Sequence, residues 1–300
     1  MDKQTRPDFI IVGAMKCATS TIHDQLAFQP GISMSEPKEP NFFSDEEQWA
    51  KGMAWYESLF DAMPSEDLKG ESSTHYTKLP THLECAKRLH ACVPDAKLIY
   101  VMRDPVNRIV SQYIHEWSQH GIEKNCSIDD AIRRYPMLMD YSRYAMQLNP
   151  YVELFGTESV LPVFFERWMV NPHQELERIA KHIGYSDDVR LVQNDVQNVS
   201  SQRQRMNPKL RAVFEFGPIK KARRTFMPES VRSKLRSLWT KNNRPVLSDE
   251  SLAYLHEQLD PDLQCLGESL GVDLSCASFK QQVCAGDTPE WVKSVGAGHE

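Results

Sequence analysis

Residues 7–29, PDFIIVGAMKCATSTIHDQLAFQ, decide how this chain folds. Phe9, Ile10, Ile11 and Val12 form a short unbroken apolar run, the pattern of a strand covered on both faces. Gly13 and Ala14 then open a turn of small side chains, and Thr19 and Ser20 are residue types that cap helices. From Ile22 to Phe28 the spacing predicts a helix with Ile22 and Leu26 on one face, ended by Pro30-Gly31. A strand, a tight turn carrying one lysine and a helix start make an anion site, because free N–H groups and the helix dipole point at one spot. Lys16 adds a charge there, and Thr19, Ser20 and Thr21 add three hydroxyls. The stretch therefore predicts a phosphate cradle. The plainer alternative is a buried strand–helix unit with a solvated lysine. The G-x-x-x-x-G-K-[ST] loop of nucleoside triphosphatases is absent, since no glycine directly precedes Lys16.

A second stretch repeats the strand–turn–helix theme. Lys97 to Met102, KLIYVM, has the β-branched and aromatic content of a strand. Arg103-Asp104-Pro105 follows, with Asp104 suited to capping and Pro105 to the first helical position. The helix shows Val106, Ile109, Val110, Tyr113, Ile114 and Trp117 on its apolar side, and Asn107, Arg108, Ser111 and His115 on its polar side. Arg103 thus stands at the carboxyl end of a strand, where open α/β sheets bind ligands. A structural arginine paired with a carboxylate is the competing reading.

The whole chain of 300 residues is long enough for a substantial core, with 41% hydrophobic and 25% charged residues. A net charge of −6 argues against a general nucleic-acid binder. No apolar run approaches the ~18 residues of a membrane span, and the first residues lack the apolar segment of a signal peptide. The seven cysteines include no C-x-x-C pair, so neither a zinc site nor a disulfide framework is expected. The expected compartment is a reducing cytoplasm.

Between the two stretches, Pro37 and Pro40 stiffen an extended segment that holds Lys38 and Glu39. Helices are predicted over Trp49 to Phe60 and Thr81 to Cys92, and Gly70 to Tyr76 is a polar, hydroxyl-rich segment ending near His75. Further on, Ile128 to Tyr135, Ser142 to Phe155 and Pro172 to Ile183 read as helices. Ser159 to Phe165 reads as a strand that Pro162 marks as an edge or distorted one. Residues 203–236 carry eleven Lys or Arg, either a solvated basic face or a cover for an anionic ligand. Helices follow at Pro228 to Trp239, Ser248 to Leu259 and Leu263 to Leu270, and the tail from Cys284 is expected to fray.

Together these residues resemble the PAPS-dependent sulfotransferases, in the branch of the heparan sulfate and bacterial enzymes. GAMKCATS at 13–20 matches the family's strand then G-x-x-K-x-x-T-[ST], its 5′-phosphosulfate loop. RDPVNRIVSQY at 103–113 matches R-[DN]-P-x-x-R-x-x-S-x-Y, whose Arg and Ser hold the 3′-phosphate, and KEPNFF at 38–43 matches K-E-x-x-F-F. Weaker likenesses are FFERW at 164–168, NVSS at 198–201 and LGESLGVDLS at 266–275. The resemblance runs over residues 8–275 and implies one sulfotransferase domain over 1–300. It implies an α/β fold, a P-loop-like parallel sheet of about five strands with helices on both faces.

The implied reaction moves a sulfuryl group from PAPS to a hydroxyl of a small molecule, glycoside or saccharide, without a metal, and releases PAP. The implied cofactor contacts are Lys16, Cys17, Ala18, Thr19, Ser20, Thr21, Arg103, Ser111, Ser201 and Arg203. Lys16 would meet charge on the leaving oxygen. Glu39 matches the glutamate read as the base in the heparan sulfate branch, and His75 is the second candidate, as in small-molecule sulfotransferases. The family's histidine two residues on is Asn41 here, its acid after the two phenylalanines is Ser44, and a further lysine is Ser72. These departures point away from a heparan-type acceptor. A catalytically inactive PAP-binding protein and a P-loop kinase are the alternatives.

Overall fold

Phe9–Gly13 forms β1, and all five residues are buried, as the unbroken apolar run predicts. The structure, a computed structural model, describes residues 6–192 and 244–292. After β1 come α1 (Thr19–Ala27), β2 (Ile32–Met34), α2 (Glu46–Trp49), α3 (Met53–Ser58) and β3 (Leu68–Ser72). A 3₁₀ turn at Thr74–Thr77 leads to α4 (Cys85–Cys92), β4 (Lys97–Met102) and α5 (Pro105–Ser118). The chain continues through α6 (Ile128–Arg134), α7 (Met137–Asp140), α8 (Tyr144–Phe155), β5 (Val160–Phe164), α9 (Phe165–Val170) and α10 (Pro172–His182). In the second described stretch lie α11 (Asp249–Leu270) and α12 (Phe279–Cys284).

The five strands form one sheet in the order β2-β3-β1-β4-β5, with every pair parallel, as expected for the fold class. From β1 the chain leaves towards β2 on one side, and from β4 it leaves towards β5 on the other. Adjacent strands whose connections diverge open a crevice at their carboxyl ends. That crevice lies between β1 and β4, so Lys16 and Arg103 are delivered to one place. Gly13 ends β1 because nothing larger fits: an added Cβ would stand 1.9 Å from Thr77 Oγ1, which donates to the Val12 carbonyl at 2.9 Å.

Two strands carry no apolar signature. β2 has only three residues, and β3 reads LKGES yet pairs directly with β1. Gly70 is required there, since an added Cβ would meet the Phe9 ring at 2.2 Å. The helix predicted over Trp49 to Phe60 is two short ones, because Gly52 at φ 78 interrupts it. The helices predicted at 248–259 and 263–270 are one continuous helix, α11, running through Pro261. Its buried stripe of Leu255, Leu259, Leu263, Leu266 and Leu270 carries it past the proline. The adjacent Asp262 accepts from the N–H groups of Ala145 and Met146, each at 2.9 Å, and so caps α8 from outside. The tail is held up to residue 292, with Trp291 Nε1 donating to the Val160 carbonyl at 2.6 Å on edge strand β5. Pro162 lies on that edge, as predicted.

Candidate active site

The turn after β1 has an unusual backbone. Lys16 at φ 71 and Ala18 at φ 68 are both left-handed, a conformation that costs a non-glycine residue about 1–3 kcal/mol. Such turns aim successive N–H groups into one concavity. Ala18, the N-cap of α1, offers no side-chain oxygen to the first turn, so those amides remain for a ligand. Thr19 and Ser20 therefore lie inside the helix rather than capping it. Thr19 is buried, and Ser20 accepts a hydrogen bond from Lys38 Nζ.

Cys17, expected among the cofactor contacts, turns its side chain into the core. Its side chain is buried, its N–H donates to the Ala14 carbonyl at 3.3 Å, and burial pushes the thiol up to about 12 against the pull of Arg108 and Arg103. It packs beneath the turn.

Arg103 reaches the same turn from β4. Its guanidinium donates to the Lys16 carbonyl at 3.3 Å and lies 4.4 Å from the Phe165 ring centroid. Its Nε is buried with no partner among the described residues. Tyr144 anchors the main chain here, donating to the Arg103 carbonyl at 2.5 Å. Burial, then the Arg103 charge, holds the Arg244 guanidinium below its usual range, and Arg244 Nη2 donates to Asn107 Oδ1 at 2.6 Å. An orphaned N–H, uncapped helix amides and two arginines that feel each other's charge all suit an anion of several charges.

Half of the predicted polar face of α5 is buried: Arg108 and Ser111 are covered, while Asn107 is exposed and His115 half-buried. Ser111 is covered, and among the described residues it makes no hydrogen bond to Arg103. Arg108 is fully buried, bonding Ser142 Oγ at 2.5 Å, Gln112 Oε1 at 2.8 Å, the Leu138 carbonyl at 2.7 Å and the Met15 carbonyl at 3.5 Å. This second arginine of the motif ties the cradle to α5 and α7. Ser201, Arg203, the basic run 203–236 and the helix at Pro228 to Trp239 lie outside the described residues.

Glu39 and His75 lie across from the cradle. Phe42 and Phe43 bury completely against Tyr56, at ring-centroid distances of 4.7 and 4.9 Å, and so anchor KEPNFF. Glu39 is left-handed at φ 58, its N–H donates to the Ser72 carbonyl at 3.0 Å, and Thr74 Oγ1 approaches its Oε1 at 3.4 Å. The Lys38–Ser20 bond joins this segment to the first turn of α1. Burial holds Lys38 below its usual range, partly offset by Glu39 and Asp24. His75, next to Thr74, places Nδ1 3.0 Å from Asp45 Oδ1. At Ser72, His23 Nδ1 lies 2.8 Å from the hydroxyl oxygen.

Two features escaped the sequence reading. Lys78 is largely buried and pushed down by burial, while Glu116, Glu39 and Asp45 pull it back up. Asp45, His75 and His82, from separate segments, form a cluster with metal-ligand spacing that the linear pattern did not show.

A parallel five-stranded sheet with a phosphate-type cradle at the β1/β4 crevice defines a P-loop-like nucleotide-binding class. Residues 6–264 match the sulfotransferase domain family, and the chain belongs to it. Mouse heparan sulfate glucosamine 3-O-sulfotransferase 3B1 is 31% identical over 188 residues, 59% of this chain and 46% of that protein. Human heparan sulfate glucosamine 3-O-sulfotransferase 6 is 29% identical over 194 residues, 59% of this chain and 52% of that protein. The chain thus spans about half the length of these curated relatives. A solved sulfotransferase from Alicyclobacillus acidocaldarius superposes with a TM-score of 0.54 at 29% identity, over 70% of this chain and 90% of that one. Among the described residues no helix is long and apolar enough to cross a membrane.

Proposed function

We propose that the chain transfers a sulfuryl group from PAPS to a hydroxyl of a saccharide, glycoside or small molecule. The observation that carries this reading is the meeting of the Lys16 turn with the Arg103 guanidinium at 3.3 Å, beside a segment that presents a carboxylate. The left-handed turn, the α1 amides and Lys16 would hold the 5′ end of the donor. Arg103, with Arg244 beside it, would hold the phosphate on the ribose. The donor supplies the sulfuryl group and the S–O bond that breaks. Sulfuryl transfer, like phosphoryl transfer, depends mainly on positioning and on charge stabilisation.

Glu39 takes the acceptor hydroxyl proton as the new S–O bond forms. Lys16 and the helix amides meet the negative charge that grows on the departing phosphate oxygen. The Lys38–Ser20 bond keeps these halves in register. Incubation with PAPS and a panel of hydroxyl acceptors, read by mass spectrometry, tests the reading. One product heavier by a sulfo group, with PAP released in equal amount, is expected. PAP binding without turnover of any acceptor would leave only a nucleotide-binding protein.

A further inference from the structure

Away from the cradle, three side chains from three segments converge on one point. Asp45 stands before α2, His75 lies in the Thr74–Thr77 turn, and His82 precedes α4. His75 Nδ1 is 3.0 Å and His82 Nε2 is 3.9 Å from the same oxygen, Asp45 Oδ1. One donor atom from each residue lies within 4.8 Å of the other two. The two imidazoles lie nearly parallel, with ring centroids 5.3 Å apart and planes at 18°. A hydrogen bond explains the contact of His75. His82 Nε2, at 3.9 Å, lies beyond hydrogen-bond distance of that same oxygen.

We propose that Asp45, His75 and His82 form a binding site for a divalent transition-metal ion of the zinc type, with a fourth position open to solvent. Donors bound at about 2.0–2.2 Å in a tetrahedral shell stand roughly 3.4 Å apart, against 3.0 and 3.9 Å to Asp45 Oδ1 and no more than 4.8 Å for the remaining pair, so side-chain movement alone seats the ion. Two imidazoles and a carboxylate select zinc-like ions over magnesium or calcium, which prefer oxygen alone. One outer contact that orients such a ligand is present: Ser44 Oγ donates to Asp45 Oδ1 at 3.0 Å. Ser44 follows the buried Phe43, so this orienting group stands on a rigid base. Lys78 is the opposing charge, acting on both Asp45 and His82. The transfer proposed above needs no metal, so this site is additional to it.

The full chain, stripped with a chelator, is titrated with Zn²⁺ by calorimetry and with Co²⁺ by visible absorption. A single ion with the strong Co²⁺ bands of a four-coordinate N/O site is expected. His82→Asn and Asp45→Asn should each weaken Zn²⁺ binding by about 100-fold or more, while His90→Asn, outside the cluster, should not change it. Melting temperatures without metal check that each variant folds, and His82→Gln replaces His82→Asn if that variant does not. Equal Zn²⁺ affinity in wild type and the folded His82 variant overturns the proposal. So does the absence of binding, or a thiolate charge-transfer band that puts the ion on cysteine.

Discussion

β1 and β3 pair side by side and end at opposite halves of the candidate active site, yet they are built differently. β1 is apolar throughout and ends in a turn whose backbone does the work, with left-handed Lys16 and Ala18 presenting amides. β3 ends in a buried polar network. Glu71 is fully buried, accepting from Tyr56 and, at 2.6 Å, from Ser73 Oγ, and burial pushes its carboxyl above the usual range. Ser73 Oγ in turn accepts the Asn41 N–H at 3.0 Å, and the Ser72 carbonyl accepts that of Glu39. The donor half thus relies mainly on the geometry of the main chain. The acceptor half relies on particular side chains satisfying one another, which makes it the half where specificity can differ between relatives.

The largest effect should come from the acceptor half. Glu39→Gln is nearly isosteric and should lower transfer by about 10²–10⁴-fold, the range of a lost general base, with PAP affinity unchanged by calorimetry. If Glu39→Gln turns over normally and His75→Ala does not, the base is His75, and the Asp45 contact becomes its orienting group.

On the donor half the two cations should separate binding from chemistry. Lys16→Ala should lower kcat by about 10²–10³-fold, and more than it changes PAP affinity, because its contact strengthens as charge develops. Arg103→Ala should instead weaken PAP binding by about 2–5 kcal/mol, the cost of one missing partner in a buried charged contact. A Lys16 variant with normal kcat and only a raised KM for PAPS would make Lys16 a simple clamp. Equal PAP affinity with and without Arg103 would remove it from the site.

The same contrast decides what could be read from the chain. FIIVG and KLIYVM announce strands because both faces are covered by apolar neighbours. The motifs that follow them bring the Lys16 turn and Arg103 together. LKGES gives no such signal, since its buried face is filled by Glu71 and its neighbours rather than by apolar side chains. Arg108 shows the converse: its charge and spacing suggest a solvated face, but three hydrogen bonds to other segments and one to Gln112 on its own helix satisfy it inside. Periodicity registers polarity, and not whether a partner from elsewhere will meet it. Gly70→Ala tests this on β3. Pushing a methyl into the Phe9 ring should destabilise the fold by about 1–3 kcal/mol, read as a lower urea midpoint with an unchanged slope. A neutral Gly70→Ala would mean that β3 packs against β1 less closely than it does here.

The smallest effect concerns the link between the two halves. His23 is on α1, behind the cradle, and its Nδ1 meets Ser72 Oγ at the end of β3. It is 8% exposed, and burial, then the Lys38 charge, holds it at about 4 against an ordinary value of 6.5. The folded state therefore keeps His23 neutral down to about pH 4, while the unfolded chain takes up a proton below about pH 6.5. Between those limits the unfolded state binds more protons, so stability falls as pH falls, by at most about 1.4 kcal/mol per pH unit. Lys38 sharpens the effect, because its ammonium opposes a second positive charge beside it. His23→Asn retains a hydrogen-bonding group for Ser72 and removes the titration. Urea unfolding of the two proteins at about pH 7 and about pH 5 should show the wild type losing more stability than the variant. His182, also held at about 4 by burial, titrates alike in both proteins and cancels from the difference. Equal losses would mean that water reaches His23 between α1 and β3, and that the donor and acceptor halves are joined by Lys38 and Ser20 alone.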